Sequence, residues 1–376
     1  MFALGCAFAL AACAPAKPAG TWHPRQERIN RGSASCAPPE ASSEGRCIGA
    51  PVPASPAEGP RMLLGDTAGL GPIAVVGEAI FYGAGPRGHV ESVCRLPKQG
   101  GPPTCFASFS PFSLLALDTD EDRLFGLVTG TPDRAVITRF DRVRGDVDYL
   151  SFLEEGEWAL SLAASAGDSL CAVVARPGPG HAERAVVRIP KAGGPRTVLV
   201  PFGHVQGDAL ACDATDAYFA GDSGLERVPL RGGMRVALGT SAFRIALGPR
   251  DVYVAGMRGI ERLPKGSTAV TLVAPVAHSG LGWDPVRELR AFPGGVAWRE
   301  HTHPHDRGDE TASALRWCRE ARGCETIVES SDDITLEAAQ DGVAYWTVTT
   351  KTRYGTARVL HAARGPLKLK VAGEGQ

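Results

Sequence analysis

Two consecutive copies of one pattern, between residues 216 and 266, limit what this chain can fold into. Asp216-Ala217-Tyr218-Phe219-Ala220 leads through a short turn to Leu225-Glu226-Arg227-Val228-Pro229-Leu230-Arg231-Gly232-Gly233. Asp251-Val252-Tyr253-Val254-Ala255 then leads through another turn to Ile260-Glu261-Arg262-Leu263-Pro264-Lys265-Gly266. A supersecondary unit that recurs so closely cannot bury its apolar face alone and must stack on its neighbours.

Aligned on the residue that opens the unit, seven copies begin at Glu78, Asp122, Asp168, Asp216, Asp251, Gly294 and Asp341, spaced 35 to 48 residues apart. Four-stranded propeller blades have a period of about 40–45 residues. Each copy divides into four short strands. An apolar inner strand such as Phe243-Arg244-Ile245-Ala246-Leu247 precedes the opening residue, and a strand rich in Tyr, Phe, Trp and Val follows it. The Arg-Val-Pro segment forms the third strand, its Pro suited to a strand end. A Gly-Gly turn then leads to a fourth strand such as Thr197-Val198-Leu199-Val200. The opening Asp is expected to bond backbone N–H groups of its own turn, a structural role.

The expected fold is therefore all-β, a seven-bladed β-propeller over residues 61–376, with six or eight blades as the alternatives. The last copy is expected to carry its own outer strand, Leu367-Lys368-Leu369-Lys370-Val371, with Met62-Leu63-Leu64 as an extra clasp. The pattern Asp-x-x-Tyr-aromatic, turn, Ile-x-Arg-Val-Pro-x-x-Gly-Gly resembles the repeats of the YWTD/NHL-like β-propeller superfamily. Tyr345-Trp346-Thr347-Val348 comes nearest its signature, with Val where the family has Asp. The likeness spans roughly residues 73 to 371 and implies a fold rather than an activity.

The start of the chain reads as an address. Residues 1–12 are small and apolar, and Leu10-Ala11-Ala12-Cys13 resembles a bacterial lipobox. The expectation is a signal peptide over 1–12 and lipidation at Cys13, with acyl chains that anchor at roughly 0.8 kcal/mol per buried CH₂. No Lys or Arg precedes the apolar run, as it would if translation began further upstream. Ala14 rather than Asp follows Cys13, which by resemblance to the enterobacterial sorting rule implies an outer-membrane lipoprotein, periplasmic or surface-facing. Residues 13–60 hold nine prolines among small and polar residues and read as a disordered tether.

Eight cysteines remain besides Cys6 and Cys13, an even number that in an exported chain suggests disulfides. Cys94 and Cys105 flank one third-to-fourth-strand turn and Cys318 and Cys324 another, so each pair is expected to bridge a hairpin. Cys171 and Cys212 lie in adjacent copies and are expected to pair, as are Cys36 and Cys47 in the tether.

Other chemistry is sparse. A net charge of −1, with scattered Lys and Arg, gives no footprint for nucleic acid. Gly and Pro, 46 and 29 of 376 residues, favour tight turns over long helices. His301, His303 and His305 alternate along an extended segment beside Asp306 and could gather a divalent metal, although a solvated His-rich loop fits them as well. Gly221-Asp222-Ser223-Gly224 and Gly167-Asp168-Ser169-Leu170 resemble hydrolase signatures, but they fall at ordinary repeat turns with no base or oxyanion donors nearby in sequence. Five tryptophans, Trp158, Trp283, Trp298, Trp317 and Trp346, are expected to pack between blades. Arg95, Arg188, Arg227, Arg262 and Arg316 recur at one place in the repeat and are expected to form a solvated third strand or a ladder of surface pairs, not an anion site.

No catalytic residue, bound metal or cofactor is assigned. The expected role is a non-enzymatic binding or scaffold module of the cell envelope, offering a propeller face to a protein or extracellular ligand. The alternative is a metal-dependent hydrolase of the lactonase type in the propeller channel. That chemistry needs amide ligands, and the one asparagine, Asn30, lies in the tether.

Overall fold

A computed structural model describes residues 61–64, 70–85, 90–108, 113–120, 123–129, 135–142, 146–276, 286–302, 312–320, 323–352 and 355–363. The expected leader, Cys13, the tether and the Cys36–Cys47 bridge lie outside them. The described residues form strands and turns with no helix, and the strands assemble into seven four-stranded antiparallel sheets. Blades 1 to 7 have as inner strands Ile73–Val76, Ser113–Thr119, Trp158–Ala164, Val205–Cys212, Arg244–Leu247, Val286–Phe292 and Asp333–Gln340. Each inner strand neighbours the next, and that of blade 7 neighbours that of blade 1, so the ring closes. The protein is a seven-bladed β-propeller, and the faint copies at Asp122 and Gly294 are full blades.

Both faces of every blade are buried against neighbours, so strands read as continuous apolar runs rather than alternating ones. Alternate residues serve different interfaces. In blade 1, Ile73, Val75, Ile80 and Tyr82 pack toward blade 7 with Tyr345 and Leu360. Ala74, Val76, Ala79 and Phe81 pack toward blade 2 with Leu124 and Phe140. Seven such apolar clusters occupy the seven junctions. Trp298 fills the junction of blades 5 and 6, while Trp317 and Trp346 fill that of blades 6 and 7.

Closure bears out the clasp expected at Met62-Leu63-Leu64 and corrects its place, since it is the outer strand of blade 7 rather than an addition to it. The outer position of blade 7 is filled by Arg61–Leu64, paired antiparallel to Gly355–Ala363 with Met62 opposite His361 and Leu64 opposite Leu360. The segment 367–371, expected there, lies outside the described residues. Leu63 and Leu64 are buried in the blade 7–blade 1 junction, so the beginning of the propeller holds its end.

The end of the third strand is a latch in several blades: of the expected arginines, Arg188 and Arg262 reach the next blade, while Arg95 is exposed and Arg316 pairs with Glu300 of its own blade. The residue after the third-strand Pro sends its N–H to the carbonyl just before the second strand of the same blade. Lys98 bonds Glu78, Lys191 bonds Asp168, Leu230 bonds Thr215, and Lys265 bonds Arg250. Where that residue is Lys, its ammonium reaches back to the preceding blade. Lys191 Nζ lies 2.5 Å from Asp120 of blade 2, Lys265 lies 3.2 Å from Asp213 of blade 4, and Lys98 lies 3.6 Å from Asp341 of blade 7. The third-strand Arg reaches forward instead. Arg139 donates to the carbonyl of Lys191, Arg188 donates to that of Leu230, and Arg262 pairs with Glu320.

The turn between first and second strands is held by a carboxylate earlier than the one expected. Asp213, not Asp216, accepts the N–H groups of Thr215 and Asp216, at 2.9 and 3.0 Å. At the far end of the hairpin, Gly259 has a φ of +123°, and a Cβ there would lie 2.3 Å from the carbonyl oxygen of Ala274. Only glycine fits that approach.

Two stability predictions follow from closure and latching. Leu64→Ala should cost about 2–5 kcal/mol of unfolding free energy in denaturant titration. Exposed Met62→Ala in the same strand should stay within about 0.5 kcal/mol. Equal effects would contradict an ordered closing strand. Asp120→Ala strands the buried Lys191 ammonium and should cost about 3–5 kcal/mol, most of it recovered by adding Lys191→Met. A loss below about 1 kcal/mol would show that the pair is not buried as described.

Candidate functional site

The latches all lie on one side of the ring, where first strands turn into second strands. The opposite, upper side carries the starts of the inner strands and the turns between second and third strands. On blade 4, Val205 pairs with Gly221, and this register sets His204 beside Asp222 of the two-residue turn between Gly221 and Gly224. His204 Nδ1 lies 3.0 Å from Asp222 Oδ2, and Gln206 Nε2 donates to Asp222 Oδ1 at 2.8 Å. The hydrogen bond to His204, with that from Gln206, holds the Asp222 carboxyl below its ordinary range.

An ionised carboxylate only accepts, so His204 meets it with an N–H at Nδ1, which leaves Nε2 for another partner. The same logic spends the Gln206 amide N–H on Asp222 and leaves its Oε1 as an acceptor. Gln206 is itself positioned from blade 3, where Arg184 donates to its backbone carbonyl. Further down the same strand, Asp208 stands 3.5 Å from Arg244 of blade 5. Arg244 also donates through Nε to the carbonyl of Arg287 on blade 6, at 2.7 Å. On the other flank, the inner strand of blade 3 leaves Trp158 39% and Leu160 37% exposed. This departs from the expectation that Trp158 packs between blades.

Deeper charged groups are matched within the wall. Burial pushes the Asp118 carboxyl up, opposed by N–H groups of Ala164 and Thr119, at 2.7 and 2.8 Å. Burial likewise raises Glu288 and Glu337, opposed by Arg299 and Arg358 respectively. Among the described residues, no group of three or more His, Cys, Asp or Glu side chains is placed to hold a metal.

The remaining sequence candidates separate. His301 ends the second strand of blade 6, its Nδ1 3.4 Å from Ser313 Oγ, while His303 and His305 lie outside the described residues. Asp168 and Ser169 serve a turn, their carbonyls accepting from Lys191 N–H and Ser165 Oγ. Ser223 spends its N–H on Glu226. Its neighbour Asp222 does have a histidine, which the sequence hid because His204 precedes it by 18 residues and approaches only through strand pairing.

Cys94–Cys105 and Cys318–Cys324 are bridged between third and fourth strands, as expected. Cys171 and Cys212 are not. They meet at the junction of blades 3 and 4 as buried thiols, with Cys212 Sγ donating to the Ala163 carbonyl at 3.3 Å. Burial, and then the neighbouring Cys171, push the Cys212 thiol up, so it is a poor nucleophile.

No protein-family model matches the sequence, and no curated protein does. The ring itself is similar to solved structures. An oligogalacturonate lyase from Vibrio parahaemolyticus matches with a TM-score of 0.55 at 10% identity, over 85% of this chain and 98% of that one. A puromycin hydrolase gives 0.54 at 14% identity over 78% of this chain, and a prolyl endopeptidase gives 0.52 at 12% over 81%. The chain spans about half the length of those two, 52% and 51%. At such identities the likeness defines the class of fold, a β-propeller, and no activity.

Thiol mapping tests the cysteine assignment. Alkylation of the folded protein should miss Cys171 and Cys212, and alkylation after unfolding without reductant should modify both while sparing the four bridged cysteines. A Cys171–Cys212 disulfide peptide would contradict it.

Proposed function

We propose that this chain is an exported, lipid-anchored envelope protein whose propeller binds a ligand or partner at its upper channel mouth without catalysing a reaction. The observation that carries the binding reading is the set of exposed side chains at the upper mouth. On the lower side, Lys191, Lys265, Arg139 and Arg188 are spent on neighbouring blades. The upper mouth presents Trp158, Leu160, His204 and Gln206 to solvent. Exposed aromatic and polar groups side by side at the starts of two neighbouring inner strands supply both kinds of contact that small-ligand sites use. Export draws support from Leu10-Ala11-Ala12-Cys13 and from the two bridged hairpins, which suit an oxidising compartment.

Absence of catalysis is argued from the mouth's own groups. Ser223 is the hydroxyl beside the His204–Asp222 pair, and its turn is already committed to Glu226. The carboxylates in the channel wall are tied to arginines and backbone N–H groups, a state suited to holding the ring rather than to attacking a substrate.

Two measurements in a bacterial host test the reading together. Radiolabelled palmitate should enter the protein and be lost in Cys13→Ser, which should appear in the soluble periplasmic fraction. A photo-crosslinking side chain at position 158 should give specific adducts, whereas one at position 234, on the lower rim, should not. An unlabelled protein would overturn the anchor, and equal adducts at both positions would overturn the upper-mouth assignment.

A further inference from the structure

We infer that the upper mouth takes a neutral, hydroxyl-rich ligand, a short oligosaccharide, with one ring face on Trp158 and its hydroxyls on His204, Gln206 and Asp208. The inference rests on the binding reading above and adds the ligand's chemistry. Three observations carry it.

The first is the polarity of the hydrogen-bonding groups. Because Asp222 takes the N–H of His204 Nδ1 and one N–H of Gln206, Gln206 is turned to offer its Oε1 as an acceptor and His204 to offer Nε2. His204 and Gln206 have no further side-chain partners among the described residues. Asp208 adds a largely exposed carboxylate. Fixed acceptors beside an imidazole nitrogen suit a ligand whose groups both donate and accept, which is the property of hydroxyls.

The second is the apolar surface beside that array. Trp158 and Leu160 begin the neighbouring inner strand and keep over a third of their surface in water. Exposed large apolar side chains at a concave site mark binding when polar groups flank them. A pyranose ring has one such combination, an apolar C–H face and a polar rim. The Trp158 indole N–H has no partner among the described residues and adds a donor.

The third is charge. Each carboxylate at the mouth is already answered, Asp208 by Arg244 and Asp222 by His204 and Gln206. A cationic ligand would compete with Arg244, and an anionic one would approach two carboxylates. A neutral ligand displaces neither pairing.

The test uses the full chain with short neutral oligosaccharides of glucose and of N-acetylglucosamine. An acidic oligogalacturonate and a lysine-rich peptide serve as comparison probes. Binding is followed by saturation-transfer NMR and by tryptophan fluorescence. The neutral probes should bind, and Trp158→Ala and Gln206→Ala should each weaken them roughly tenfold or more. Because both residues lie at the surface, the variants should melt with wild type, which separates lost contact from lost fold. The inference is overturned if no neutral probe binds, if Trp158→Ala binds unchanged, or if the acidic or cationic probe binds more tightly. Crosslinking of a protein at position 158 with no saccharide binding would sink this inference yet leave the binding reading standing. Loss of both would sink the two together.

Discussion

Every blade in this protein has two apolar faces, and neither can be left in water. That constraint forces the ring to close, and the rest of the structure depends on how it does so. A row of six or seven stacked blades would expose a full junction at each end, equivalent to the cluster now holding Ile73, Tyr82, Tyr345 and Leu360. Bending the row into a circle buries both ends against each other. The remaining weakness is mechanical, since first and last blades would be joined by side-chain packing alone. Arg61–Leu64 removes it by adding backbone hydrogen bonds across the seam, so that opening the ring requires stripping a strand. Leu63 and Leu64 are buried accordingly, while Met62 before them faces outward, and an irregularity in the pairing between Met62 and Leu64 lets both neighbouring leucines turn inward.

The polar latches act on the same junctions from below. A Lys that reaches back, in blades 1, 3 and 5, and an Arg that reaches forward, in blades 2, 3 and 5, tie those blades to their neighbours from the end of the third strand. Lys191 shows why such a group is kept. Its ammonium is nearly sealed from water between Asp120 and the Ser165 carbonyl, over the Phe125 ring. Alone it would be intolerable there, and paired it registers blade 3 against blade 2. In blade 4, Leu230 takes the place of Lys, and the junction relies on apolar packing with the Arg188 bond to its carbonyl.

What could be read in advance divides along the distance over which an interaction acts. The blade pattern, the Pro that ends each third strand and the two hairpin bridges are set by residues a few positions apart, and strand register carries Cys94 to Cys105 and Cys318 to Cys324. The closing strand was misjudged because Leu367-Lys368-Leu369-Lys370-Val371 and Arg61–Leu64 are both plausible strands. Nothing local says which one blade 7 accepts. Arg188 and Arg262 looked solvated because their partners sit a blade away. Cys171 and Cys212 were rightly placed at one junction, but meeting is not bonding: they stay neighbouring thiols, and Cys212 Sγ also donates to the Ala163 carbonyl. The mouth was the least legible. Asp222 resembled a protease motif and was set aside, and His204 carried no motif at all. Only the pairing of Val205 with Gly221 joins them.

Native-state hydrogen exchange across the seam tests the central claim most directly. If the ring is closed by its own first strand, amides of residues 61–64 and 360–362 should exchange only through global unfolding. Their free energy should then match that of buried amides such as Val173 in blade 3. Exchange of those seam amides at a clearly lower free energy, with the other blades still protected, would contradict it.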